Sequence, residues 1–500
     1  MMKLLFSVID KEGPLMAATI EFGDTDTSPA TLSLKRANRH GFITGATGTG
    51  KTVTLQNIAQ NMAAAGVPVF AVDVKGDLSG IALPKENGAS LPPTFFWDVF
   101  GKQGEPIRTT VTEFGPLLFS RLLGLSDAQA GVLDIAFKLA DTEGLLLIDL
   151  KDLNALLSNM SERTKEIGQQ YGLASTQSIA AIQRELLRLD NDGGGVFFGE
   201  PALNLDDLMR VSSYGYGTVN VLAASELIQH TTLYATFLLW LLAELYQTLP
   251  EVGDLEKPKL CLFFDEAHLM FNDAPPVVID KVEQVVRLIR SKGVGVYFCT
   301  QNPLDIPETV LAQLGNRFQH ALRAYTPKEQ KAVKVAATSF RPNPAFDTAN
   351  TITELGIGEA LVSTLDDKGV PTMVEKVKIR LPASRLGPIS PAERGTIQQQ
   401  SPLNGKYAEA IDRESAYERL TQKAQQAAAQ QQTAKQAAGG AGGKAPSNMG
   451  DFVSSILIGN GRRQGVGEAL VKSVIRSTGS SVGRQIGTQL VRGILGSLMR

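Results

Sequence analysis

The chain has 500 residues, 43% of them apolar and 20% charged, with a formal net charge of −2. That length suggests two or three domains, and the apolar content is that of an ordinary globular protein with a sizeable core. Near-neutrality argues against a wholesale polyanion binder, although a local basic surface remains open.

The first ten residues, Met1 to Asp10, have too short an apolar run for a secretory leader and carry no small-residue cleavage site. The most apolar helical stretch, Leu233 to Ala243, ends at Glu244 and falls short of the ~20 residues that span a bilayer. No transmembrane segment is expected, and a cytoplasmic location is. Two cysteines, Cys261 and Cys299, each lie in an apolar run. Both read as core residues in a reducing compartment.

Residues 1–40 form a short lead-in with an edge hairpin. Arg36, Arg39 and His40 stand just before the next strand. They read either as solvated charge or as neighbours of a bound base or phosphate. Gly41-Phe42-Ile43-Thr44 is the end of a buried strand, and Val53 to Ala59 begins an amphipathic helix. Between them lies Gly45-Ala46-Thr47-Gly48-Thr49-Gly50-Lys51-Thr52, a full match to G-x-x-x-x-G-K-[ST]. Glycines let the backbone wrap a polyphosphate with its N–H groups inward, at the positive end of the following helix. Lys51 then reaches the β- and γ-phosphates, and the Thr52 hydroxyl holds Mg²⁺. This is a nucleotide site.

Val67 to Asp73 makes a second buried strand, so strand–helix–strand implies a parallel sheet with ligands at its carboxyl ends. Lys75 and Asp77 leave that strand on the nucleotide side, as a salt bridge or turn or as nucleotide contacts. Residues 81–255 read as a mostly helical insertion, with periodicity over 116–140, 148–190 and 226–249 and one strand near Tyr214 to Ala223. Gly193-Gly194-Gly195 is a turn, because no helix start or lysine follows it.

The core resumes over 256–385. Lys259 to Phe264 is a buried strand that ends in Asp265-Glu266, the Walker B pattern. There the aspartate holds Mg²⁺ through water and the glutamate polarises the attacking water. A helix from Val277 to Lys292 stops at Gly293, with Arg287 and Arg290 near its end. The strand Gly295 to Cys299 leads into Thr300-Gln301, whose amide can sense the γ-phosphate. Asn316 to Arg323 is another strand, and Gly358 to Thr364 with Thr372 to Leu381 form a hairpin. Residues 386–421 read as a helical extension and 422–449, rich in Gln, Ala and then Gly, as a flexible linker. Residues 450–500 make a basic, Gly-rich helical tail, read as docking on the body or a neighbour, or as touching a membrane surface or nucleic acid.

These motifs resemble the HerA/FtsK-type ring ATPases, and look closest to bacterial HerA-like helicase C-terminal domains of unknown function. The residues that carry the resemblance are Arg39 to Thr52, Asp73 to Leu78, Phe264 to His268 and Thr300 to Pro303, with Lys406 to Glu409 and Asp412 to Glu418 for the narrower group. The resemblance implies an α/β P-loop NTPase fold, RecA/HerA-like, with a parallel-sheet core, a largely helical insertion, a β-hairpin extension and a helical C-terminal tail. It implies Gln301 as γ-phosphate sensor and Arg290 as an arginine finger reaching a neighbouring subunit's nucleotide, with Arg317 as the fallback. It implies Mg²⁺-dependent ATP hydrolysis, a homo-oligomer in the hexameric ring of the family, and DNA as a partner. The nucleotide contacts expected are Gly45 to Thr52 and Arg39. The lead-in is too short for the N-terminal β-barrel that aids ring assembly in HerA proper.

Nothing resembles an Asn-Lys-x-Asp guanine-reading motif, so ATP is favoured over GTP. Asp265-Glu266-Ala267-His268 also spells the signature of a two-lobed helicase class, which one nucleotide core does not satisfy. The leading reading is an oligomeric motor on nucleic acid. The alternative is a non-motor ATP-dependent switch or scaffold acting on a protein partner. A small-molecule kinase is third, because Glu266 directly after Asp265 suits water activation.

Overall fold

The computed structural model describes residues 18–86, 88–172, 174–253, 255–271 and 276–438. The tail over 450–500 and the end of the expected linker lie outside them. One compact unit ends at Ala424, and a second begins at Gln425.

In chain order the elements are β1 (Thr19–Asp24), β2 (Pro29–Ser33), β3 (Gly41–Thr44), α1 (Lys51–Ala64), β4 (Val69–Asp73), β5 (Thr94–Asp98) and β6 (Glu105–Pro106). The helices α2 (Val111–Leu122), α3 (Asp127–Glu143), α4 (Leu150–Glu162), α5 (Thr164–Tyr171), α6 (Thr176–Leu189) and the single turn α7 (Gly195–Phe197) follow. Next come β7 (Val219–Ala223), α8 (Thr231–Thr248), β8 (Leu260–Phe264), α9 (Pro276–Ile289), β9 (Val294–Thr300), α10 (Glu308–Leu311) and β10 (Asn316–Gln319). Last are α11 (Pro327–Thr338), α12 (Thr348–Glu354), β11 (Glu359–Ser363), β12 (Glu375–Ile379), α13 (Pro391–Gln400) and α14 (Ala416–Ala438).

The strands form one 12-stranded sheet in the order β2-β1-β12-β11-β10-β3-β9-β8-β4-β7-β5-β6. From β10 to β6 every pairing is parallel; β11, β12, β1 and β2 add an antiparallel flank. The central strands are apolar throughout because both faces are covered. Their side chains alternate between two cores, as a period of two requires. Phe70, Val72, Leu262 and Phe264 face the helical layer with Phe237 and Trp240. Val69, Ala71, Cys261 and Phe263 face α1, through Leu55, Ile58 and Met62. Both cysteines are buried and free.

The stretch over 81–255 is more than a helical insertion. It contributes β5, β6 and β7 to the sheet, each parallel to its neighbour. Of these, β7 was expected near Tyr214 to Ala223, whereas β5 was not, because Thr94 to Asp98 is a short aromatic run among prolines, with no periodicity to separate strand from loop. The helices of the same stretch, α2 to α8, make up the helical layer.

The expected helical extension over 386–421 is mostly an irregular strap. Ser384 bonds both Gln56 Nε2 (2.8 Å) and Gln60 Oε1 on the buried side of α1. Further on, the Arg394 guanidinium lies 4.3 Å from the centre of the Phe96 ring. Tyr407 is buried against Trp97, and its hydroxyl donates to Asp207. Ser415 donates to Asp152 at the start of α4. The helix α14 then runs into the segment expected as linker. Its Ala- and Gln-rich composition has good helix propensity even where it offers little to pack.

Candidate functional site

The phosphate loop leaves β3 at Thr44 and is pinned from the neighbouring strand. The His320 N–H donates to Thr44 O at 2.7 Å, and the Ala46 N–H to Ala321 O at 2.8 Å. A Cβ on Gly45 would meet the His320 Cβ at 2.5 Å, so only glycine fits there. Gly48 (φ +80°) and Gly50 (φ +112°) take the left-handed backbone that glycine permits. Thr49 Oγ1 and Lys51 Nζ both donate to Ala46 O, at 2.8 and 3.0 Å. Lys51 is buried, and desolvation pulls its pKa below the ordinary lysine range, against the attraction of Cys299, Glu266 and Asp265.

Two strands away β8 delivers Asp265 and Glu266, each 4% exposed. Glu266 has φ 46° and ψ 46°, a left-handed conformation that a non-glycine residue adopts at a cost of order 1–3 kcal/mol. Its carboxylate accepts from Gln301 Nε2 at 3.1 and 3.2 Å, pairs with Lys75, and lies 3.2 Å from His268 Nδ1. Gln301 Oε1 accepts from Thr47 Oγ1 of the loop at 3.0 Å. Thr47, Gln301, Glu266 and Lys75 thus form one continuous polar chain across the carboxyl ends of β3, β9, β8 and β4. Burial alone raises the pKa of Glu266, but Lys75 and Gln301 outweigh it and hold the carboxyl below its usual range.

Asp265 has the opposite balance. Burial and the neighbouring Glu266 raise its pKa, against the Cys299 thiol and the Glu266 N–H. Asp73, at the end of β4, is raised to about 7 by burial and by Asp77. Asp77 Oδ1 is buried with no hydrogen-bond partner. Crowded carboxylates with an unsatisfied oxygen suit a hard divalent cation, since Mg²⁺ prefers oxygen donors and keeps several waters. Asp265 and the Thr52 hydroxyl at the start of α1 are the residues that would hold it.

The structure corrects the placement of Arg39. It precedes β3, so it stands at the amino end of the parallel strands; four residues at ~3.3 Å each put that end about 13 Å from the loop. That separation sets the Arg39 backbone apart from the loop expected to hold the phosphates. Arg290 is at the same end: it follows α9 and precedes β9, and its carbonyl accepts from Asn38 Nδ2 at 3.5 Å. Both arginines act on the field at His40, whose ring is buried between Val286 O and the Val296 N–H. Arg317 donates to Leu311 O and Leu314 O, at 3.1 and 3.2 Å, which caps the end of α10. Its guanidinium has a structural occupation.

The motifs did not reveal His320. Its Nε2 pairs with Thr54 Oγ1 and its Nδ1 with Glu359 O, both at 2.8 Å, so the ring props the phosphate loop against α1 and β11. Burial lowers its pKa to about 4 and keeps it neutral. A histidine just past the end of a strand carries no sequence signal of that role.

Among solved structures, the unbound conjugative coupling protein TrwBΔN70 superposes with a TM-score of 0.52 at 15% identity, over 74% of this chain and 91% of that one. TrwB in complex with ADP and Mg²⁺ does so at 0.51 and 13%, over 74% and 91%. VirB4 of Thermoanaerobacter pseudethanolicus gives 0.50 and 16%, over 76% and 100%. These likenesses show the fold, a RecA-like P-loop NTPase. The DNA double-strand break repair helicase HerA of Sulfolobus acidocaldarius is 23% identical over 341 residues, 66% of this chain and 63% of that protein. The chain thus spans somewhat under two thirds of that relative's length. The family described as Helicase HerA-like C-terminal matches residues 19–500. With the phosphate loop, the paired acids and the glutamine on one sheet end, and a family match over almost its whole length, the chain belongs to the HerA-like helicase C-terminal family.

Proposed function

We propose that the chain is a Mg²⁺-dependent ATPase that works as an oligomer to move nucleic acid. The polar chain from Thr47 through Gln301 to Glu266 carries this reading, because it links the phosphate loop to a buried carboxylate poised for a proton. Lys51 and the loop amides hold the β- and γ-phosphates. Mg²⁺ held by Thr52 and Asp265 would neutralise developing charge on the phosphate oxygens. Glu266 takes a proton from water as the water oxygen attacks the γ-phosphorus and the bond to the β-phosphate oxygen breaks. The Gln301 amide orients that water and reports the γ-phosphate through Thr47.

Arg39 and Arg290 fit a neighbour's nucleotide rather than their own. Both lie at the sheet end remote from the phosphate loop, and a head-to-tail ring brings that end of one subunit to the loop of the next. The relative named as a DNA repair helicase favours DNA as the track.

Two measurements test the reading. Duplex DNA should raise the ATPase rate; an unchanged rate favours the non-motor switch. Glu266→Gln should slow hydrolysis by roughly 10²-fold or more, the scale of a lost general base. Mixing it with Arg290→Ala protein should restore part of the activity, because some interfaces then unite an intact finger with an intact base. No restoration at any mixing ratio, or a chain that stays monomeric with ATP, removes the trans arrangement.

A further inference from the structure

Glu266 is held by two donors. Oε1 meets both Lys75 Nζ and Gln301 Nε2, and Oε2 meets Gln301 Nε2; His268 Nδ1 lies 3.2 Å from Oε2 but makes no hydrogen bond. A carboxylate has roughly four lone-pair sites, and Lys75 with Gln301 occupies all but one of them. The partners differ in freedom. Gln301 is tied to Thr47. His268 follows Glu266 in the same 3₁₀ turn. Lys75 alone of the three rides on a four-carbon stem, and its side chain is 48% exposed against 5% for Glu266.

The backbone under Lys75 is rigid. Gly76 is left-handed at φ +81°, its N–H donates to Asp73 Oδ1 at 2.7 Å, and Ser79 Oγ donates to Gly76 O at 2.9 Å. The ammonium therefore moves by side-chain rotation alone, from the buried carboxylate toward the open end of the site. A γ-phosphate arriving in the loop brings a competing anion to that end.

We infer that Lys75 is a positioning residue that holds Glu266 away from the reaction in the nucleotide-free chain and releases it when the nucleotide's charge draws the ammonium off. This rests on Glu266 being the base, and it adds a restraint that neither the phosphate-loop motif nor the paired acids contain. Removal of the lysine should speed cleavage, whereas removal of a mere phosphate ligand would slow it.

The test is single-turnover ATP cleavage with enzyme in excess and no DNA, so that product release does not mask chemistry. Lys75→Met should cleave roughly two- to fivefold faster than the parent, the range set by a partly exposed ion pair. ATP affinity should change little, and Lys75→Arg, which keeps the pair, should stay near the parent rate. In a Glu266→Gln background Lys75→Met should give no acceleration. A Lys75→Met rate equal to or below the parent, with Glu266→Gln still impaired, overturns the restraint and leaves the base in place. A Glu266→Gln protein as fast as the parent overturns the base itself, and the restraint with it.

Discussion

The helical layer and the nucleotide end of the sheet obey different rules within one unit. In the helical layer the levels of structure agree, apart from a kink at Gly115 in α2. Asp149 caps α4 by accepting from Lys151 N and Asp152 N, and Ser175 caps α6 through Ser178 N. Leu153 and, one helical turn on, Leu156 and Leu157 are fully buried. Phe114, Phe119 and Phe198 pack ring against ring. At the nucleotide end the same chain buries Lys51, Asp73, Asp265 and Glu266, and holds Glu266 in a left-handed turn. Local preference is violated there and, outside it, at buried His40 (φ 62°) before β3. Such a concentration of violations marks a site kept for chemistry, since strain and buried charge persist only where the surroundings over-determine them.

The sharpest way to break this contrast is at Lys51. Lys51→Ala should abolish ATP hydrolysis and weaken ATP binding by roughly tenfold to a hundredfold, the worth of charge-assisted bonds to phosphate. The thermal midpoint without nucleotide should not fall, because the variant removes a buried cation; a large fall in calorimetry would place Lys51 among the structural residues. The mirror experiment is Leu157→Ala in the helical layer. It should lower stability by about 2–5 kcal/mol through lost burial and a cavity. Turnover per folded molecule should stay at the parent value, and a drop at a temperature where the variant is fully folded would merge the two regions.

A further effect is a pH dependence at two buried histidine rings, one at each end of the parallel strands. His40 and His320 are both lowered by burial from 6.5 to about 4 in the folded chain. Between those values the unfolded chain takes up protons that the folded one refuses, so stability falls as pH drops from about 6.5 to about 4. Above the upper limit both states are neutral and the contribution is flat. A depression of about 2.5 units corresponds to roughly 3 kcal/mol for each ring. Denaturant unfolding at pH 7 and pH 4.5 should show the loss, and His320→Asn should remove part of the slope. An identical slope in that variant would mean that its ring titrates freely.

Much of the site is legible because the chemistry is local. Gly45 to Thr52 must be contiguous to wrap a phosphate, and Asp265 and Glu266 must be adjacent at a strand end. Gln301 follows its own strand in the same way. The arginines were less legible, since their roles depend on which end of the sheet they occupy. Arg39 precedes the loop by only a few residues, yet β3 carries it to the opposite end. Arg317 looked available until α10 placed two carbonyls beside it. The strands β5 and β6 were illegible because short runs gain their identity from the neighbour they pair with.

The sequence by itself determined a phosphate-loop fold with a parallel sheet, and pointed to the residues proposed to meet phosphate and metal. Those are properties of short, contiguous segments with a fixed stereochemistry. Only the tertiary structure decided that Lys75, just past one strand, pairs with Glu266, just past another, and that His320 supports the loop from beneath. Only it could set Arg39 and Arg290 together, far along the chain from one another, at the edge away from the loop. These pairings depend on strand order, and strand order is settled by long-range packing that no local window contains.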